Sequence, residues 1–331
     1  MLQLALAFAV ATQVSDPSRS SPAGAKLASE CTLSPTDQAW LDQSMHAWNY
    51  AAAHISGIGH LRKIEALIFD KDCLATSTTA MNGGPSRWSG TLHHGTVSLP
   101  GGSVAVGVVS FAGSEKGKNF YVMSTPSVWR AAGIRGNSTT LAAMMTAVML
   151  HEGSHVAQMP TYGARMDEIT ARNHLPQDFD DDSIQKQFAS NADFAMSVGR
   201  ETRLLAGAAN AKSRQRAVDL VRSARDLMKA RYARWFTGPN RYMAEAEPVF
   251  LTLEGSGQWL AYTWETDPRG GHVPSSAVLS GFLADHWWTQ GEGFAAFMAL
   301  QRLVGPAWKR QAFHDGRKDV LEMLDEAVAA P

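Results

Sequence analysis

His151-Glu152-Gly153-Ser154-His155 is the stretch on which the reading of this chain turns. It fits the pattern His-Glu-x-x-His. It lies in a run from Thr139 to Gln158 that reads as one helix, with Leu141, Met145, Val148 and Met149 on its apolar flank. An α-helix advances 3.6 residues per turn, so positions i and i+4 share a face and both imidazoles point the same way. Two neutral imidazoles at that separation can hold one Zn²⁺, with Glu152 one residue along to accept a proton from zinc-activated water.

On the N-terminal side, Gly136-Asn137-Ser138 offers a cap for that helix. Val104 to Phe111 and Asn119 to Ser124 read as a hairpin around the loop Gly113 to Lys118. Within it, Phe120 to Met123 is a candidate edge strand for aligning an extended substrate, or an ordinary core strand. Leu61 to Phe69 reads as another strand, followed by a polar stretch through Asn82-Gly83-Gly84-Pro85. Earlier still, Ser34-Pro35-Thr36-Asp37 has the form of a helix start, and Trp40, Leu41, Met45 and Trp48 give that helix an apolar face.

Beyond Pro160 the pattern turns almost wholly helical. Helices are predicted near Ser183–Ala206, Ser213–Phe236, Pro248–Trp264, Ser276–Trp287, Glu292–Leu303 and Val320–Ala329. The acidic run Asp178 to Asp182 reads as a solvated loop and helix start, because no Ca²⁺-loop spacing follows it. The expected class is α+β: a small mixed β-sheet, the His-bearing helix, then a mostly helical C-terminal half. In domain terms, residues 31–160 form an N-terminal α/β part and 161–331 a helical part.

Composition narrows the function. The chain has 331 residues, 45% of them hydrophobic, and a formal net charge of −1, so it can bury a large core and offers no polycationic footprint for nucleic acid. Gly113-Ser-Glu-Lys-Gly117-Lys118-Asn119 has the wrong spacing for a phosphate loop, and no Gly-x-Ser-x-Gly elbow occurs. Residues 1–11 are apolar apart from Gln3 and end in Ala9-Val10-Ala11, as a signal peptide does; residues 12–30 then read as a flexible leader. No later apolar run is long enough to span a bilayer. The expected location is therefore periplasmic or secreted, and in that setting Cys31 and Cys73 are compatible with one disulfide, two buried thiols being the alternative.

Two histidines leave a catalytic zinc centre one protein ligand short. The residues after His155, Val-Ala-Gln-Met-Pro-Thr, place no third histidine at metzincin spacing, which excludes that arrangement. Leu253-Glu254-Gly255-Ser256-Gly257-Gln258-Trp259-Leu260-Ala261-Tyr262 resembles the Glu-Gly-x-Ala-x-Tyr helix of aminopeptidase-like gluzincins. Gly291-Glu292-Gly293-Phe294-Ala295 resembles the same motif. In those families a Tyr-x-x-Gly element opens an apolar helix some tens of residues after the ligand helix. Trp288-Thr289-Gln290-Gly291 with Phe294, Phe297, Met298, Leu300 and Leu303 fills that later place, which favours Glu254 as third ligand over Glu292. Glu201, Glu245 and Glu247 are the remaining candidates.

The resemblance, carried by motif order over residues 104–305, implies a zincin-like fold and a zinc metallopeptidase acting on a peptide or protein. It implies His151, His155 and Glu254 as ligands and Glu152 as general base, with an inserted helical segment, about 163–240, walling or lidding the cleft. The family's tyrosine, which steadies the oxyanion, is matched here by Trp288, an indole N–H without a phenol. Tyr262, His286 and His272 are other candidate donors. That departure and the aromatic-rich later helices also support a second reading, a catalytically weak zincin fold that binds a peptide or glycan. His93 and His94 read as polar surface.

Overall fold

The structure is a computed structural model and describes residues 30–58, 65–77, 88–136, 139–176, 178–283 and 287–330. The proposed signal peptide, the leader up to residue 29, the polar stretch 82–85, part of the 136–138 cap and His286 lie outside these. The chain divides into two compact units, residues 1–50 with 59–156 and residues 51–58 with 157–331. It is α+β.

In the first unit, Pro35–Ala51 forms α1. Ser34 caps it as its sequence predicts: its Oγ accepts from the Asp37 amide (3.2 Å) and donates to the Asp37 carboxylate (2.9 Å). Asp37 in turn accepts from the Ser127 amide at the start of α2, Pro126–Ala131. Among the described residues, seven strands follow α1: β1 Glu65–Phe69, β2 Cys73–Ser77, β3 Trp88–Leu92, β4 Thr96–Leu99, β5 Gly102–Ala105, β6 Ser110–Glu115 and β7 Lys118–Ser124. Five make one mixed sheet in the order β3-β2-β1-β7-β6, parallel only between β1 and β7. β4 and β5 make a separate ribbon. Leu67, Phe69, Val97, Phe111, Phe120 and Val122 form the core of these strands.

The hairpin lies further along than its sequence suggests. Val104 belongs to β5, and the pairing of β6 with β7 runs on to Glu115↔Lys118. Lys116 (φ 50°) and Gly117 (φ 75°) close it as a two-residue turn in the left-handed region, the geometry that matches strand twist. Phe120–Met123 is consequently interior, paired on both sides, and the edge strands are β3 and β6. The register, not the composition, decides this. Cys31 and Cys73 form a disulfide, which joins the chain ahead of α1 to β2.

α3, Leu141–Gln158, follows the strands and α2. α1 is fastened along it: Trp40 Nε1 donates to the Ala142 carbonyl (3.2 Å), and the Ser44 and Thr146 hydroxyls meet at 2.7 Å.

In the second unit the chain first forms a wider π turn, Met159–Gly163, where Pro160 offers no amide for regular helical bonding. Among the described residues, eight α-helices follow: α4 Ala164–Asn173, α5 Ser183–Phe188, α6 Ala192–Ala209, α7 Arg214–Trp235, α8 Met243–Thr266, α9 Ser275–Phe282, α10 Trp288–Val304 and α11 Val320–Ala329. The helix expected over Ser183–Ala206 is two, because Asn191 accepts from the Phe194 amide (3.1 Å) and caps a new start. α8 begins before Pro248, which it carries inside, and is the central helix, buried along most of its length. α10 packs on both α8 and α6, and α6 on α7. No helix among the described residues is long and apolar enough to cross a membrane.

Candidate metal centre

The last two turns of α3 are buried, His151, Glu152, Ser154 and His155 all at 5% exposure or less. Four-residue spacing stacks the two imidazoles with centroids 4.5 Å apart and planes 88° to one another, and brings their Nε2 atoms to 2.8 Å. Gly153 faces Trp48 of α1, whose ring occupies the space a Cβ would need. The pentad thus has a packing requirement at its third position as well as chemistry at its first, second and fifth. Ser154 turns its hydroxyl back to the His151 carbonyl (2.7 Å).

Glu152 is held by a residue that the sequence reading did not single out. Ser110, the first residue of edge strand β6, donates its Oγ to Glu152 Oε1 at 2.7 Å, and both side chains are buried. A lone serine at a strand start carries no local signal for this role; the contact spans 42 positions.

Glu254 lies on α8 and is 4% exposed. His151 and His155 present their imidazole nitrogens together on one face of α3. Two imidazoles on one helix face are donors for a divalent transition metal, so this buried pair can supply two ligands to a metal ion. Two imidazole nitrogens 2.8 Å apart can offer their lone pairs to a single cation.

The acidic run is solvated only at its start: Asp178 is exposed and Asp180 half-buried. Asp181 and Asp182 are both about 95% buried. Burial pushes the Asp181 carboxyl well up, with the nearby Glu254 charge adding to it. Burial likewise pushes Asp182 up to about 7, with Asp180 and Glu254 contributing. Three further carboxylates sit elsewhere in the second unit. Glu201, Glu247 and Glu292 converge on Arg231, at 2.8, 2.7 and 3.4 Å respectively, all buried. Glu245 pairs with Arg172 at the surface. A signal for Arg231 was present: Ala217, Val221, Ala224, Met228 and Arg231 recur at three- and four-residue steps along α7, and all are buried.

The candidate oxyanion donors have other partners. The Tyr262 hydroxyl meets Ser275 Oγ, and its ring packs against Phe282 and Phe294. Trp288 stacks on Phe194 with centroids 5.5 Å apart. His272 occupies a left-handed turn (φ 54°), its Nδ1 3.2 Å from the Pro268 carbonyl. His93 is seated by the Asp70 carbonyl (3.1 Å) and the edge of Phe69.

No protein-family model, no curated protein and no solved structure matches this chain.

Proposed function

We propose that this chain is an exported, zinc-dependent metallohydrolase of the gluzincin type, built on a zincin-like fold and cleaving peptide bonds. The observation that carries the reading is the buried imidazole pair of His151 and His155 on one face of α3, adjoined by a glutamate that a hydroxyl already orients; the resemblance supplies Glu254 as the third ligand. The two histidines hold zinc through ring nitrogens and Glu254 through its carboxylate. When bound, zinc supplies Lewis acidity toward a carbonyl and lowers the pKa of water toward neutrality.

Glu152 moves the proton. Its carboxylate takes a proton from the attacking water and delivers it to the leaving amine. Ser110 holds Oε1 of that carboxylate and so limits its rotation. The Cys31–Cys73 disulfide supports an oxidising compartment, consistent with export to the periplasm or beyond.

Metal analysis and a peptide library test this together. Wild type should bind close to one zinc per chain and cleave some library member. Glu152→Gln should keep the zinc and lose turnover by about 10²-fold or more, the scale of a general base. Full zinc with no cleavage by wild type would favour the peptide- or glycan-binding reading. Absence of stoichiometric zinc would sink both.

A further inference from the structure

The second unit joins four helices at one buried guanidinium. The Arg231 side chain, on α7, is wholly enclosed, and carboxylates reach it from three other helices: Glu201 of α6, Glu247 of α8 and Glu292 of α10. The rings of Phe194, Tyr232 and Phe236 surround it, their centroids 5.1, 5.2 and 5.8 Å from the guanidinium carbon.

A guanidinium has five N–H groups, and here they are unequally shared. Nη1 donates to both oxygens of Glu247, at 2.7 and 2.9 Å. Nε donates to both oxygens of Glu201, at 3.2 and 3.0 Å, and Nη2 to its Oε2 at 2.8 Å. Ser197 Oγ adds a further donor to Glu201 at 2.6 Å. Glu292 receives one long contact, 3.4 Å, from the same Nη2. Two carboxylates thus satisfy the cation, and the third meets no charge of its own. A buried carboxylate short of a counter-charge is strongly disfavoured.

The surroundings supply no second cation. Tyr232 of α7 faces Glu247. Arg203 of α6 lines a cavity that Glu292 also lines, but it is exposed, and water and salt screen its charge. Lys186 of α5 pairs with Asp180. The acids of α11 are engaged elsewhere: Glu322 by the Asp319 amide, Asp325 by Arg225 and Glu326 by Lys318. α9 and the turn Gly305–Trp308 carry no titratable side chain.

We propose that Glu292 holds a proton which it shares with Glu201, and that this cluster is a pH-sensitive latch that lets α10 part from α6 when the proton leaves. Burial pushes the Glu292 carboxyl well up, and Glu201 and Glu247 add to this against the opposing pull of Arg231. The proton belongs to the pair, not to one carboxyl alone. The folded chain keeps a proton that the unfolded chain releases. The stabilisation is therefore fully present below 4.5, the ordinary glutamate value, and is lost as pH rises through the folded one.

Infrared spectroscopy of the full chain, with and without carboxyl-¹³C glutamate, reads the proton directly. At pH 8.5 Glu265, at about 7, has ionised, and wild type should still show a protonated glutamate. Glu292→Gln should lose that signal. Glu201→Gln removes a like charge and a hydrogen-bond partner, so it should shift loss of the signal to lower pH, which a purely structural role would not do. Amide hydrogen exchange reads the latch. Once pH has passed the loss of the signal, α6 and α10 should exchange at least tenfold faster in wild type than in Glu292→Gln; at pH 6 the two should match. Comparing both proteins at one pH cancels the base catalysis of exchange itself. Absence of a protonated glutamate in wild type at pH 8.5 would overturn the proposal whether or not the variants fold. So would a signal that survives in Glu292→Gln, or exchange that rises equally in both proteins.

Discussion

At the scale of single residues, Ser110 makes the sharpest demand. Its hydroxyl is the partner at Glu152 Oε1, and a carboxylate that must take a proton along one direction depends on such a tether. Ser110→Ala should therefore leave zinc content unchanged and lower kcat/KM by about 10–100-fold, as loss of an outer-shell partner does. Ser110→Thr, which keeps the hydroxyl, should restore most of it. Equal activity in Ser110→Ala would show that the hydrogen bond has no part in orienting Glu152. His151, Glu152 and His155 are legible in the sequence because i, i+4 geometry is local. Glu254 is legible only through a resemblance, since no local spacing ties it to the histidines. Ser110 and Asp181 are read differently or not at all, because burial turns an ordinary polar residue into a constrained one and sequence does not display it, whereas Arg231 does lie on the buried period of α7.

At the scale of elements, the two Glu-Gly pairs that suggested alternative ligands have a second explanation in helix packing. Gly255 of α8 and Gly293 of α10 lie face to face: a Cβ on Gly293 would come within 2.5 Å of the Leu251 carbonyl oxygen and 2.8 Å of Gly255 Cα. Backbone obstructs it, and backbone cannot rotate aside. Gly293→Ala should cost about 3 kcal/mol, the upper end of overpacking penalties, read as a lower urea midpoint; a loss under 0.5 kcal/mol would mean the crossing is loose. The helices themselves were largely legible. α3, α7 and α11 fall within two residues of their predicted limits, because apolar periodicity and caps such as Ser213 and Asp319 act locally. Strand order was not legible. That Phe120–Met123 is flanked on both sides depends on the parallel pairing of β1 with β7, a contact between segments some 55 residues apart.

At the scale of the whole molecule, composition correctly indicated a chain with ample core, while the charges that matter were those the core encloses. Glu265, on α8, is 4% exposed, and burial pushes its carboxyl from 4.5 up to about 7. Asp182 moves in the same direction to about 7, again chiefly through burial. A raised carboxyl pKa means the folded chain holds a proton that the unfolded chain releases. Stability from these groups is then fully present below about pH 4.5, and it is lost as pH rises toward 7. Each pKa unit is worth about 1.4 kcal/mol, so Glu265 alone bears on stability by a few kcal/mol. Denaturant unfolding in the presence of a chelator should show it: the wild-type midpoint should fall between pH 5 and pH 8. Glu265→Gln, neutral at every pH, should flatten part of that fall and exceed wild type at pH 8. If the difference between variant and wild type were the same at both pH values, Glu265 would not be titrating in the folded chain, and its burial would have to be relieved by hydration.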